Sequence, residues 1–347
     1  MKTITLWLDQ CMPGMKIAET LSNEFNAVII IKGAVLTQRL IDKLKNMGFA
    51  KIRVYDDSDK EIEQNKQETV IKDYEKNMDS MREVLHDIVE GKPVRMNQIE
   101  EISASLYTRK NDVLNIIVCL NQVREIDEYT YSHCLNVSFI CMLVAKWLKY
   151  SEITIKEVLE GGLVHDVGKC KVPLEILNKP GKLDEEEFAE IKRHPLYGYE
   201  ILKNVPGVTS CMLMAALNHH EKLNGEGYPY HLTEDKIHFC GKICAVADVY
   251  DAMTTNRVYH KRTNPFTVFR YLEEQAFRAL DPKIVLVFIQ NMAGYYVGDH
   301  AELSNGAKGE IVYINPRAIS RPIIKAGNEI IDLSNEENRT LTITEIN

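Results

Sequence analysis

Hydrophobic positions divide the chain into stretches of different period. Residues 1–56 alternate short β-like runs with one helix-like stretch, and residues 57–98 are charged with apolar positions at helical spacing. Residues 99–294 repeat apolar positions every three or four residues, whereas residues 295–347 change to a period of two. The longer period predicts helices and the period of two predicts strands. The chain is therefore predicted to be mainly α, a helical bundle with a small N-terminal α+β module and a short C-terminal β segment.

The stretch 57–98 is predicted to be one helical linker. Its apolar positions at helical spacing are Val70, Tyr74, Met78, Met81, Val84, Leu85 and Ile88. Such a helix serves as a signalling connector, as a dimer seam or simply as a packed helix. The module at 1–56 is open to two interpretations, a regulatory domain or a packing cap, because nothing chemical in it separates them.

The bundle is expected to contain a series of helices. They are predicted at 112–121, 133–148, 155–165, 186–193, 196–202, 211–218, 241–253 and 266–278. A capping box at Asp184–Glu187 and the pair Asn264-Pro265 predict two helix starts. Gly168 is predicted to end the helix that precedes it. The β segment is expected to fold onto the bundle, with turns at Asn305-Gly306 and Gly327-Asn328.

Composition narrows the class of protein. The content of 45% hydrophobic and 27% charged residues is typical of a globular protein. The net charge of -8 excludes a broad basic surface for duplex nucleic acid. The eight cysteines contain no Cys-x-x-Cys pair, and the start of the chain lacks the pattern of a secretion signal. No apolar run approaches the roughly 20 residues of a membrane span. We therefore expect a cytoplasmic protein with reduced thiols and no membrane contact.

Candidate metal ligands are concentrated in the helical region. Its histidines and aspartates are His133, His165, Asp166, His194, His219, His220 and Asp248. Each alone is as readily a hydrogen-bonded buried group, but burying so many titratable groups together without a cation would be costly. Imidazole and carboxylate bind zinc, iron, manganese or nickel, and bundles build such sites between facing helices. The set predicts a metal centre, in which an aspartate beside a histidine can bridge two ions.

Four motifs in order carry a resemblance to a known family. They are His165-Asp166-Val-Gly-Lys169, His194-Pro195, the stretch His219-His220-Glu221 to Gly227-Tyr228-Pro229, and Ala247-Asp248 to Asp251-Ala-Met-Thr254. Over about residues 110–295 the chain resembles the HD-GYP subgroup of the HD-domain metal-dependent phosphohydrolases. Asn224 departs from the usual aspartate and His260 from the usual basic residue.

The resemblance implies an HD-type helical bundle at 99–294 and a reaction for it. The reaction is hydrolysis of the 3'-5' phosphodiester of cyclic di-GMP to linear pGpG, with GMP as a further product left open. Carried over by position, one divalent ion would be held by His133, His165, Asp166 and Asp248, and a second by Asp166, His194, His219 and His220. Two such ions lower the pKa of a bridging water, so that a hydroxide attacks the phosphate.

The identity and number of the ions stay open at this point. Iron or manganese is favoured, with zinc, nickel or cobalt as alternatives, since imidazole and carboxylate accept several metals. Some relatives carry a glutamate for a third ion at the position that Tyr129 occupies here, with Glu128 one residue earlier. Two ions are therefore expected, and a third is left open.

Further residues are predicted to act on the substrate. Asp166 and Lys169 would be catalytic, the lysine by binding a phosphate oxygen or protonating the leaving alkoxide. Tyr228 would stack on a guanine or anchor its own loop, which two glycines bring close to the ligand. The full set of predicted substrate contacts is Lys169, Gly227, Tyr228, Pro229, Asp251, Arg257 and Lys261.

Two other functions remain alternatives at the level of sequence. One is a cyclic dinucleotide-binding signalling module without turnover, and the other is an HD hydrolase that acts on a different nucleotide. The presence of His165-Asp166 and Lys169 favours catalysis. Besides the dinucleotide, a homodimer contact or a signalling-protein partner is left open.

Overall fold

The computed structural model describes residues 3–22, 28–47, 49–55, 60–113, 116–117, 120, 129–179, 181–255, 263–276 and 278–346. Its α-helices are α1 (Gln38–Asn46), α2 (Lys60–Val89), α3 (Met96–Thr108), α4 (Tyr129–Trp147), α5 (Glu152–Val164), α6 (Leu174–Leu177), α7 (Glu185–Ile191), α8 (His194–Leu202), α9 (Ser210–Asn218), α10 (Phe239–Thr254), α11 (Pro265–Gln275) and α12 (Pro282–Ala293). Its strands are β1 (Thr3–Trp7), β2 (Leu21–Ser22), β3 (Val28–Ile30), β4 (Lys51–Tyr55), β5 (His300–Leu303), β6 (Lys308–Tyr313), β7 (Ile323–Ala326), β8 (Glu329–Asp332) and β9 (Ile343–Ile346). The mainly α fold class predicted from the sequence is confirmed.

The chain forms two compact units, and the first is built from both of its ends. It comprises Met1–Glu68 and Ile289–Asn347. In the N-terminal part β1 pairs antiparallel with β4 and β2 with β3, over an apolar core that includes Ile17, Leu36 and Leu44. The C-terminal part is an antiparallel sheet of order β8-β7-β6-β5-β9.

The C-terminal sheet is part of the same unit as the N-terminal module. The expected packing of this segment on the bundle stays a prediction. The guanidinium of Arg39 on α1 donates to the carbonyl of Gly327, at 3.2 Å, across this part of the unit. The turns expected at Asn305-Gly306 and Gly327-Asn328 join β5 to β6 and β7 to β8. The domain boundaries at 56, 98 and 294 stay predictions.

The second unit, Thr69–Phe288, contains the helical bundle and all the predicted metal ligands. Its central helix α4 is buried along most of its length, with Leu135, Phe139 and Leu143 at most 2% exposed. The apolar positions predicted at helical spacing lie on α2 and are also buried, although the helix ends at Val89 and α3 begins at Met96 within the stretch predicted as one linker. Both predicted helix starts are correct: Asp184 and Glu187 form a capping box at α7, and the Asn264 side chain caps α11.

One covalent feature was not expected. Cys211 at the start of α9 and Cys240 at the start of α10 form a disulfide, with their Cα atoms 5.5 Å apart at a sequence separation of 29. The expectation of reduced thiols is therefore wrong for this pair. A search for short cysteine motifs does not detect it because the two helices bring the cysteines together only in the fold.

Among the helices of the described ranges, none combines the length with the hydrophobicity that crossing a bilayer demands.

Candidate metal centre

Asp166 lies between two groups of histidines. One of its oxygens, Oδ2, is 3.4 Å from Nε2 of both His133 and His165. The other, Oδ1, is 3.4 Å from Nε2 of His194 and 3.6 Å from Nε2 of His219. Because each carboxylate oxygen faces its own pair of imidazoles, a single side chain joins the two halves of the centre.

Two more predicted ligands complete these halves. Oδ1 of Asp248 on α10 is 3.2 Å from Nε2 of His133, and it adds a second carboxylate to the first half. His220 joins the second half, where ligand atoms of Asp166, His194, His219 and His220 lie within 4.8 Å of one another. The structure thus brings together every residue that the sequence analysis named as a metal ligand.

Hydrogen bonds on the outer side of the rings decide which nitrogen faces the centre. In each case Nδ1 lies near an acceptor: for His165 the Gly162 carbonyl at 2.8 Å, for His194 the Ile191 carbonyl at 2.7 Å, for His219 the Ala215 carbonyl at 2.9 Å, and for His133 the Asp251 carboxylate at 2.8 Å. Each acceptor requires a proton on Nδ1, so the lone pair of Nε2 points inward. This is the arrangement of histidines that bind a metal.

The donor set fits a cation at both halves. Nε2 of His194 and Nε2 of His219 are 3.1 Å apart, and those of His133 and His165 are 3.3 Å apart. With the protons on Nδ1, each of these pairs consists of two facing lone pairs, which repel one another unless a positive ion lies between them. Oδ1 of Asp166 is buried and has no hydrogen-bond partner among the described residues. These atoms could all be satisfied by divalent metal ions.

The electrostatics of the site keep this donor set available at neutral pH. Burial lowers the pKa of His194 to about 3, so its imidazole is neutral. Burial alone would raise the pKa of Asp166, but Lys169 and His165 outweigh it and hold that pKa well below its ordinary value. The pKa of Asp248 is likewise lowered, against its burial, by His133. Neutral imidazoles and ionised carboxylates are the protonation states that metal binding requires.

Gly168 fixes the spacing between the two halves. A Cβ at this position would lie 1.9 Å from the carbonyl oxygen of His194 and 2.4 Å from the backbone nitrogen of Gly198. The expectation that Gly168 stops the preceding helix is wrong: α5 ends at Val164, and Gly168 lies inside the following 3-10 turn, Val167–Lys171. The glycine is required because this turn touches the backbone of α8, which carries His194.

The Gly-Tyr-Pro loop packs against the second half of the centre. The ring of Tyr228 stacks on that of His220, with centroids 4.6 Å apart and an angle of 27° between the planes. Gly227 allows this approach, since a Cβ there would lie 2.4 Å from Cα of Glu221. The bond between Tyr228 and Pro229 is cis. In this structure the ring of Tyr228 supports the predicted metal ligand His220. The stacking of Tyr228 on a guanine stays a prediction.

Glu221 holds the same loop, a role that the sequence analysis did not assign although the residue stands in the motif. The side chain is buried, and its two oxygens accept hydrogen bonds from the backbone nitrogens of Tyr230, at 2.7 Å, and Leu232, at 2.9 Å. Asn224, by contrast, is exposed. Its side-chain carbonyl and amide both bond to Glu226, and its backbone bridges to Thr233. Its departure from the usual aspartate therefore removes no carboxylate from the metal centre.

We expect Glu221→Gln to loosen this loop. The amide offers one acceptor where the carboxylate offers two, so one backbone N–H would face an NH2 group, at a cost of roughly 1–3 kcal/mol. The variant should melt at a lower temperature and be cut faster by protease near Tyr230. Glu226→Gln, an exposed change in the same loop, serves as the control. Equal melting and cleavage of the two variants would contradict this role.

The position of the Asp251 side chain does not favour the predicted contact with substrate. Its carboxylate is 1% exposed, and it binds Nδ1 of His133 through Oδ2 and the amide of Asn136 through Oδ1, at 2.9 Å. Both carboxylate oxygens of Asp251 are thus directed to buried partners, on the side of His133 that faces away from Asp166. The geometry favours an orienting role for Asp251 over the predicted contact with substrate.

The other predicted contacts are only partly described. Lys169 lies one turn after Asp166 with its ammonium 2.5 Å from Oδ2, and its side chain is 23% exposed. Arg257 and Lys261, together with the departure at His260, lie outside the described residues, as do Glu128 and the side chain of Tyr129. The substrate contacts of Arg257 and Lys261 and the third ion therefore stay predictions.

An open cleft leads away from the metal centre. It has a volume of about 70 Å³, and its walls include His220, Asp248, Lys222, Tyr271 and Gln275. An aromatic ring and an amide therefore lie in the same wall as two of the predicted metal ligands. The cleft gives a ligand access to His220 and Asp248.

A helical bundle whose histidines and aspartates converge between its helices defines a metal-binding helical domain. The chain belongs to the HD domain family, whose model matches residues 83–284. This membership confirms the family expected from the motifs and supports binding of divalent metal.

Curated relatives cover the same region. The chain is 34% identical over 227 residues to a cyclic di-GMP phosphodiesterase of Pseudomonas aeruginosa, which covers 65% of this chain and 54% of the relative. It is 35% identical over 187 residues to 3'3'-cGAMP-specific phosphodiesterase 1 of Vibrio cholerae, covering 53% of this chain and 43% of that one. The chain thus spans about half the length of the curated relatives it matches.

A solved structure supports the fold. An HDG"Y"P protein from Bdellovibrio bacteriovorus matches with a TM-score of 0.51 and 16% identity, over 84% of this chain and 99% of that one. At this identity the likeness concerns the fold alone.

Proposed function

We propose that this chain is a metal-dependent phosphodiesterase that hydrolyses the 3'-5' phosphodiester of cyclic di-GMP to linear pGpG. The observation that carries the proposal is the position of Asp166, with one oxygen toward each pair of inward-facing imidazoles. The activities of the curated relatives support the substrate class.

In this proposal the chain holds two divalent transition-metal ions, with iron or manganese favoured. Ions of this kind supply Lewis acidity, which activates water and neutralises charge on a phosphate. One half of the site would consist of His133, His165, Asp166 and Asp248, and the other of Asp166, His194, His219 and His220. The acceptors behind the rings hold the imidazoles in place before a ligand arrives.

The remaining residues would place the phosphodiester and manage the leaving group. The ammonium of Lys169 lies beside Asp166 and is partly exposed, so it can bind a phosphate oxygen or donate a proton to the leaving 3' oxygen. Tyr271 and Gln275 lie in the cleft wall beside His220 and Asp248, where a phenol ring offers a stacking surface for a base and an amide can bond a base edge.

The experiment is turnover by the purified chain after removal of metal and separate reconstitution with Mn²⁺ and Fe²⁺. The substrates are cyclic di-GMP, 3'3'-cGAMP and bis(p-nitrophenyl) phosphate, and products are separated by chromatography. We expect cyclic di-GMP to be cleaved to pGpG by the reconstituted protein and not by the metal-free one. Binding of cyclic di-GMP without cleavage would instead support a signalling module, and cleavage confined to the other two substrates would reassign the substrate.

A further inference from the structure

A chain of buried hydrogen bonds runs from the long helix α2 to the first half of the metal centre. The phenol of Tyr74 on α2 donates to Oδ1 of Asn136 on α4, at 2.6 Å. The amide nitrogen of Asn136 donates to Oδ1 of Asp251, at 2.9 Å, and Oδ2 of Asp251 lies 2.8 Å from Nδ1 of His133. Tyr74, Asn136, Asp251 and His133 are each 1% exposed.

The chemistry of the groups fixes the direction of this chain. An ionised carboxylate only accepts, so Asp251 takes the proton of His133 on one oxygen and that of the Asn136 amide on the other. The asparagine must then turn its carbonyl oxygen toward Tyr74, where the phenol supplies a donor. The Tyr74 hydroxyl, which also lies 3.2 Å from the Ser132 carbonyl, supplies the donor that this amide oxygen needs. It thereby helps to hold Asn136, and through it the acceptor behind His133.

The first half of the centre depends on this acceptor more than the second half does. His165, His194 and His219 are held by backbone carbonyls of their own helices or of the residues just before them. His133 is held by a side chain, whose position relies on Asn136 and on the Thr255 hydroxyl, 3.2 Å from Oδ1 of Asp251. A metal-binding histidine that is held only by side chains is expected to move when one of those side chains is lost.

Tyr74 lies outside the part of the chain that matches the HD domain family, which begins at residue 83. Its ring is stacked parallel to that of Phe139, with centroids 6.3 Å apart and 8° between the planes. The same helix buries Val70, Met78 and Met81. A residue of the linker helix thus takes part in a network that ends on a metal ligand.

We propose that Tyr74 is a positioning residue for His133, which couples the seating of α2 to ion binding in the first half of the centre. The inference rests on the proposed metal centre and goes beyond it. When α2 is seated, the phenol holds Asn136 and Asp251, and Nε2 of His133 faces Asp166 and Asp248. By linkage, an ion bound in this half stabilises the seated helix by the same factor.

The test is Tyr74→Phe in the full chain, with binding of Mn²⁺ followed by equilibrium dialysis and elemental analysis. This change keeps the ring and its stacking but removes the donor. Loss of a support behind a ligating histidine weakens metal binding by roughly 10–100-fold. We expect that weakening in one of two binding steps, with the other unchanged, and a fall in kcat larger than any change in KM.

Two further variants separate positioning from general damage. Asn136→Ala should reproduce the weakening of the same step, and it serves in place of Tyr74→Phe should that variant not fold. Met78→Ala makes a cavity on the same helix away from the hydrogen bonds, and it should lower the melting temperature while leaving both Mn²⁺ affinities unchanged.

The outcomes distinguish this inference from the proposed function. If the unmodified chain binds no Mn²⁺ or other divalent transition metal, the metal centre itself is wrong. If the unmodified chain shows two binding steps and Tyr74→Phe leaves both unchanged, or weakens both equally, the metal centre stands and the role of Tyr74 is overturned.

Discussion

Replacing Asp166 by asparagine is expected to remove at least one of the two proposed ions and to abolish measurable turnover. The new amide group would direct its NH2 toward one pair of inward-facing nitrogens, where it excludes a cation, and the other pair would lose its negative charge. The loss of kcat should be at least about 10²–10³-fold, the range seen when one group that stabilises developing charge is removed. Elemental analysis and cyclic di-GMP turnover measure the two effects.

Glu160→Gln is the matched control for that variant. Glu160 is also a buried carboxylate of the bundle, 6% exposed, but it accepts from the Ser103 hydroxyl at 3.0 Å and faces no imidazole of the centre. The Glu160→Gln variant should keep its metal and its activity. A full complement of metal in Asp166→Asn would show that Asp166 does not join the two halves.

Gly168→Ala is expected to disrupt the centre without changing any ligand. The methyl group would overlap the carbonyl of His194, so the 3-10 turn that follows Asp166 must move away from α8. Overpacking of this kind destabilises by about 1–3 kcal/mol. A displacement of about 1 Å between reacting groups can lower the rate about 10²-fold. Thermal unfolding, metal content and kcat should all fall together.

Gly198→Ala tests whether that effect depends on the overlap. Gly198 lies on the opposite side of the same contact, where a Cβ would be 3.4 Å from its nearest neighbours, an ordinary contact distance. This variant should retain most of its stability and metal. If both alanine variants behave like the unmodified protein, the turn does not determine the spacing of the two halves.

Local patterns were enough to predict most of the helices and to select the histidines and aspartates that the structure brings together around Asp166. The apolar spacing on α2 and α4 indicates which positions of each helix are buried. The short motifs that contain the histidines and aspartates can be recognised without knowing how distant segments pack. The period of two after residue 294 likewise predicted strands, and the described residues form β5 to β9 there.

Properties that arise from contacts between distant segments were not predictable in this way. Gly168 is a glycine because of His194, Asp251 turns inward because of His133, and Cys211 pairs with a cysteine on another helix. In each case the residue type is compatible with several roles. Only the packing of one helix against the next selects among them.

The disulfide has a consequence for the unfolded state. The segment between Cys211 and Cys240 contains His219, His220, Glu221 and the Gly-Tyr-Pro loop. Closing a ring of this length removes conformational entropy worth about 3–4 kcal/mol in the chain-entropy description. His133 and His165 lie outside the ring, so they explore the full volume of an open chain when the bundle unfolds. The second half of the centre therefore starts refolding from a smaller set of conformations than the first half does.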